Sequence, residues 1–158
     1  MIIRPIAPNS KEETSLVTKR MKKTLIDVMG EKDGKNYYSD EWLISRVEQH
    51  INLKENACIF LSEENSGEIS GQAIIRIEKD NGTNYGFFST IYVAEEFRGK
   101  GIAKELIMAV LKWCKDKDLK RVTYNTAENH TSIINLFGKF KFKESLRADG
   151  MVKLVVSF

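Results

Sequence analysis

The stretch EEFRGKGIAKELI, residues 95–107, sets one arginine, two glycines and two lysines ahead of an apolar stripe. Upstream, NYGFFSTIYV (84–93) is aromatic and β-branched and reads as a strand ending at Val93. Downstream, Ile102, Leu106, Val110 and Trp113 recur at helical spacing, so a helix begins near Gly101 and fades at KDKD (115–118). Unpaired amides at a helix N-terminus carry partial positive charge and favour anions. Glycine lets the chain turn tightly there and lets an anion approach the backbone. Ala103 keeps the first turn small, while Lys100 and Lys104 add mobile charge. The competing reading is a solvated turn that happens to be basic.

Working outward, the strand belongs to a meander. ACIFL (57–61) and EISGQAIIRI (68–77) are strand-like around a polar turn, and Asn81-Gly82 is a hairpin signal before the strand ending at Val93. Toward the N-terminus, MIIRPI (1–6) is a short strand halted by Pro5 and Pro8. Asn9 or Ser10 caps a helix carrying Leu16, Val17, Met21, Leu25, Ile26 and Val28, and GEKDG (30–34) ends it. Ser39 caps a second helix with Leu43, Val47 and Ile51 inward, and His50 reads as a surface residue. Beyond the loop come the strand RVTYNTA (121–127), a helix from about 130 to 139, and two strands, FKESL and MVKLVV, meeting at Asp149-Gly150. The order β-α-α-β-β-β-α-β-α-β-β predicts a mixed α/β (α+β) fold. A central sheet of about seven strands is flanked by about four helices in a single domain, 1–158.

Composition narrows the class. With 158 residues, 42% hydrophobic and 30% charged, the chain can bury a core without staples. A net charge of +3 with interspersed signs is too mild to imply nucleic acid. The basic run TKRMKK (18–23) alternates with apolar residues and reads as a wet helix face. No apolar run approaches a membrane span, and no leader pattern is visible, so a cytosolic location is expected. Cys58 and Cys114 sit in apolar segments and read as core residues, with neither a disulfide nor a metal implied.

Three phosphate-binding patterns compete for the loop. The G-x-x-x-x-G-K-[ST] string does not occur, and Lys104 stands where a dinucleotide fingerprint needs its third small residue. R-x-x-G-x-A fits as Arg98, Gly101 and Ala103. In this the chain resembles the GCN5-related N-acetyltransferases (GNAT), whose acetyl-CoA loop reads [QR]-x-x-G-x-[GA] between a strand and a long helix. The resemblance implies that main-chain groups of Ile91, Tyr92 and Val93 receive the pantetheine arm. It also implies that amides of Gly99, Lys100, Gly101, Ile102, Ala103 and Lys104, behind Arg98, receive the pyrophosphate. In AENHTSIINLFGKFKF (127–142), Asn129 matches an Asn that contacts the cofactor arm, although an Asn there also suits a helix cap. The segment runs one residue longer than the commonest spacing.

The activity so implied is transfer of an acetyl group from acetyl-CoA to a primary amine of a small molecule or peptide, by direct attack. No nucleic acid, membrane or metal is expected, and a homodimer is compatible with the family. Two departures matter. Phe137 stands at or beside the place of the family's tyrosine, whose hydroxyl protonates the departing thiolate, and Lys141 replaces a Gly. Another donor, solvent, or a catalytically weak site would follow, and a non-catalytic acyl-CoA-binding module is the alternative. No carboxylate lies on either central strand, leaving Tyr124, Glu128, Tyr85 and His130, or water, as acid–base candidates. The acidic and aromatic groups of EKDGKNYYSDEW (31–42), namely Glu31, Asp33, Asp40, Glu41, Tyr37, Tyr38 and Trp42, could hold a cationic acceptor.

Overall fold

The computed structural model describes residues 1–29 and 38–158; the expected helix break at 30–34, with Glu31, Asp33 and Tyr37, lies outside them. The elements are β1 (Ile2–Pro5), α1 (Lys11–Met29), α2 (Asp40–Asn52), β2 (Ala57–Glu63), β3 (Ile69–Asp80) and β4 (Thr83–Val93). They continue with α3 (Ile102–Asp116), β5 (Arg121–Ala127), α4 (Thr131–Gly138), β6 (Lys143–Ala148) and β7 (Met151–Ser157). This is the expected order.

Local chemistry explains the boundaries. Ser10 Oγ accepts the Glu13 amide at 3.2 Å, and Ser39 Oγ accepts the Trp42 amide at 3.1 Å, so both serines cap their helices. Glu13 in turn accepts the Ala7 amide at 2.9 Å and pairs with Arg4 at 2.6 Å, fastening β1 to α1. Asn81 and Gly82 both take positive φ, +50° and +79°, as a two-residue hairpin requires.

The seven strands form one sheet in the order β1-β2-β3-β4-β5-β7-β6. All neighbours are antiparallel except β4 and β5, which α3 links as a crossover. One core cluster joins Leu106, Ile107 and Val110 of α3 and Phe137 of α4 to sheet residues such as Ile75, Phe88 and Tyr124. A second joins Val17 and Met21 of α1 and Leu43 and Val47 of α2 to Ile59, Leu61 and Ile74. The sheet is therefore clothed on both faces. Close approach demands glycine at Gly71, where a Cβ would stand 2.9 Å from the Tyr92 carbonyl oxygen and 3.1 Å from Leu106 Cδ1.

Two expectations change. His50 is buried rather than on the surface: Nδ1 donates to the Arg46 carbonyl at 2.7 Å, and burial pulls its pKa below the ordinary value. Arg20, within the basic run, is half-buried, and its Nη2 donates to the Ile69 carbonyl at 2.6 Å, tying α1 to β3. The cysteine thiols are held protonated by burial, Cys58 at about 11 and Cys114 at about 12.

Candidate active site

β4 changes register against β3 at one point. Ile74 faces Thr90 whereas Ile75 faces Phe88, so Ser89 has no partner. A bulge of this kind bends a strand and increases its twist. The parallel pairing of β4 with β5 ends at the same level: it comprises Gly86–Val122, Phe87–Thr123 and Phe88–Tyr124. Residues 89–93 of β4 and 125–127 of β5 run on past this last rung, and the strands fork. Their facing edges turn unpaired main-chain groups toward the gap.

Where β4 ends, a short 3-10 turn (Glu95–Phe97) leads to the glycine loop. Arg98 Nε donates to the Val93 carbonyl at 2.8 Å and braces the loop against the strand. Gly99 and Gly101 lie at φ +79° and +82°. A Cβ on either would meet nothing within 4 Å, so backbone angle and not space calls for glycine. Gly101 is the N-cap of α3 and offers no side chain, and the first helical bond runs from the Glu105 amide to the Gly101 carbonyl. The amides of residues 99–104 have no acceptor among the described residues.

Fork and loop open onto one cleft of ≈ 990 Å³. Of the residues expected to hold a cofactor, Ile91, Tyr92, Val93, Arg98, Gly99, Gly101, Ile102, Ala103 and Lys104 line it. Lys100 does not; its Nζ sits 5.5 Å from the Phe97 ring centroid. Asn129 is exposed, lies off the cleft, and does not cap α4, whose N-cap is His130. Counted back from Phe142, His130 takes the place expected of Asn129, lining the cleft with Nδ1 at 3.3 Å from Thr126 Oγ1.

The acid–base candidates separate as clearly. Tyr85 lies below the fork and off the cleft, its ring under the Arg121 guanidinium at 4.7 Å. Glu128 is exposed and bridged to Arg147 at 3.4 Å. Tyr124 occupies the last rung and lines the cleft. Its ring stacks on Phe137 at 4.2 Å and 15° and meets the edge of Phe88 at 5.3 Å. Burial pushes its phenol well above the ordinary value.

Sequence reasoning missed Ser89, Thr90 and Asp27. Thr90 Oγ1 is sealed from solvent without a partner and belongs to a cleft-lining residue. Asp27, on α1, is the one carboxylate lining the cleft among the described residues. Only the fold brings α1 to this place, so no local signal marks it. Of the expected acceptor-binding group, Tyr38, Asp40, Glu41 and Trp42 lie off the cleft, with Asp40 paired to Lys22 at 2.6 Å.

The model of the Acetyltransferase (GNAT) family matches residues 25–142, most of the chain. The chain belongs to the GNAT acetyltransferase family. Among curated proteins, YobR of Bacillus subtilis (strain 168), described as an uncharacterized N-acetyltransferase, is 34% identical over 58 residues. That match takes in 37% of this chain and 24% of YobR. Among solved structures, an N-acetyltransferase from Staphylococcus aureus Mu50 superposes with TM-score 0.78 at 21% identity, covering 99% of this chain and 97% of that one. The PaiA N-acetyltransferase of Thermoplasma acidophilum, in complex with coenzyme A, superposes with TM-score 0.70 at 14% identity over 99% and 98%. At these identities the superpositions speak for the fold. In this GNAT chain the sheet fork and the glycine loop fall inside the matched region, and the final hairpin outside it.

Proposed function

We propose that this GNAT protein is an acyl-CoA-dependent N-acyltransferase that moves acetyl from acetyl-CoA to a primary amine of a small molecule or peptide by direct attack. The observation that carries this reading is the run of amides at residues 99–104 without acceptors among the described residues, in a loop that, Lys100 apart, lines the same cleft as the forked strands. A diphosphate is the anion that such a run suits, because it accepts several amide hydrogen bonds without a fixed side chain. The exposed edge of Ile91, Tyr92 and Val93 would pair with an amide-bearing arm as an added strand. Lys104 and the Arg98 guanidinium place positive charge along the cleft.

The bound group would supply an activated acyl thioester. The chain would hold that acyl group at the fork, with a main-chain N–H beside the bulge at Ser89 set to receive charge developing on the carbonyl oxygen. Fixing amine and thioester side by side removes the translational cost of their encounter. The attacking amine must be neutral. Asp27 and His130 are the cleft-lining groups able to take its proton, directly or through water. The protonated thiols of half-buried Cys58 and buried Cys114 lie off the cleft and are not placed to act as nucleophiles. We place the reaction in the cytosol, as the sequence suggests; among the described residues no helix is long and apolar enough to cross a membrane.

Phe137, standing where relatives carry a tyrosine, favours one second reading: an acyl-CoA-binding module without turnover. Incubation with acetyl-CoA and a panel of amines (amino acids, polyamines, peptide N-termini), following free thiol, separates the two. Acceptor-dependent thiol release is expected. Tight binding of CoA with no release for any amine would establish the module instead.

A further inference from the structure

We propose that Tyr124 donates, from β5, the hydrogen bond to the departing sulfur that Phe137 cannot donate from α4. The inference rests on the acyltransferase reading above. Three observations converge on this residue.

Tyr124 stands in the last rung before the strands fork, at the level of the bulge. The floor of the gap is therefore built from its own strand pair. Second, it carries the one hydroxyl in a cluster of four rings, Phe88, Tyr124, Phe137 and Phe142. Within that cluster its phenol lies nearly parallel to the Phe137 ring, with centroids 4.2 Å apart. A hydroxyl displaced from Phe137 to its stacking partner stays in the same aromatic wall.

Third, the Tyr124 hydroxyl has no hydrogen-bond partner among the described residues, although the side chain is only 6% exposed. A buried tyrosine ordinarily satisfies its O–H. Among the described residues the sealed, partnerless side-chain atoms are Arg20 Nη1, Glu64 Oε1, Gln72 Oε1 and Thr90 Oγ1, and the Tyr124 oxygen is not one of them. Its remaining exposure is to the cleft it lines. The hydroxyl is a donor awaiting an acceptor there.

The step balances as follows. The amine lone pair forms the new C–N bond as the C–S bond breaks, and that bonding pair stays on sulfur. Tyr124 O–H donates a hydrogen bond to the sulfur while negative charge builds. The proton released by the amine passes to Asp27 or His130, directly or through water, and the sulfur later takes a proton from water. Burial keeps the phenol protonated, so it gives a hydrogen bond and is not itself consumed.

The test reads the ionisation of bound CoA, which is separate from turnover. Thiolate absorbance of CoA bound to the wild-type protein and to Tyr124→Phe is followed against pH, with affinity measured by calorimetry. A donor to the sulfur lowers the bound thiol's pKa, and losing it raises that pKa by about one to two units. Every other cleft-lining group is the same in both proteins, so the difference isolates the hydroxyl. Acceptor turnover should fall about 10- to 100-fold in kcat, with KM for acetyl-CoA little changed. Equal thiol pKa values in the two proteins overturn the inference. So does a wild-type bound thiol that ionises no lower than free CoA, a reading that needs no variant. A wild-type protein that binds no CoA sinks the acyltransferase reading itself.

Discussion

Replacing Gly101 by alanine isolates what the loop's backbone angle does. The residue sits at φ +82°, ψ 9°, where an L side chain costs roughly 1–2 kcal/mol. A methyl group there would meet no atom within 4 Å, so steric clash contributes nothing. Among the described residues the amides of 99–104 lack partners, and the loop is braced only through the Arg98 side chain, leaving little to hold the substituted residue at this angle. In the free protein the loop therefore relaxes, and the cost reappears when the amides must be gathered around an anion. CoA affinity should drop by a factor of about 5–30, the equivalent of 1–2 kcal/mol. Gly67 is the matched control: φ +90°, again with nothing within 4 Å, in the β2–β3 turn. There the Gly67 amide bonds the Glu64 carbonyl at 2.9 Å and Glu64 bonds Glu68 at 2.8 Å, so the turn is held. Gly67→Ala should lose about 1 kcal/mol of folding stability and keep its affinity. Calorimetric titration with CoA and urea unfolding of both variants decide the matter. Unchanged CoA affinity in Gly101→Ala, or an equal loss in Gly67→Ala, would refute the reasoning.

Other outcomes follow from the same geometry. Gly71→Ala drives a methyl group against the Tyr92 carbonyl and Ser62 Oγ, at 2.9 and 3.0 Å, and should cost roughly 1–3 kcal/mol in urea unfolding. Thr90→Val removes a sealed hydroxyl with no partner; stability should hold or rise by up to about 1 kcal/mol, and a clear fall would reveal a bond to that oxygen. His50 is held neutral by burial, its pKa below 6.5. As pH falls through that value the unfolded chain takes up a proton that the folded one resists, so stability declines until the folded-state pKa is passed. Urea midpoints between about pH 7.5 and 5 should slope downward in the wild type and flatten in His50→Gln.

The elements were legible because their signals are local. Ser10 and Ser39 sit where caps belong, Asn81-Gly82 and Asp149-Gly150 pair positive φ values at hairpin tips, and the α3 stripe buries Ile102, Leu106 and Val110. The glycine loop was legible for the same reason, since its chemistry is main-chain and contiguous. What failed depended on register. The family resemblance implies a bulge on this strand, but its place at Ser89 is set by pairing with β3, and nothing in GFFSTIYV announces that position. Once the fork is placed, Tyr85 falls short of it and Tyr124 meets it, although both tyrosines look alike along the chain. Adjacent in sequence, Asn129 falls outward and His130 falls on the cleft, a one-residue difference that only the backbone path into α4 decides. His50 was misread because the buried face of α2 passes through Leu43, Val47 and His50, leaving Ile51 only partly buried at its edge.

Three rungs are all that stitch the first four strands to the last three. Beyond them the two halves stand apart like an open zip, and a substrate drawn into the gap becomes the slider. Left unfilled, the gap presents two strand margins of the kind that recruit other chains, so a molecule seated there would also shield the protein from self-association.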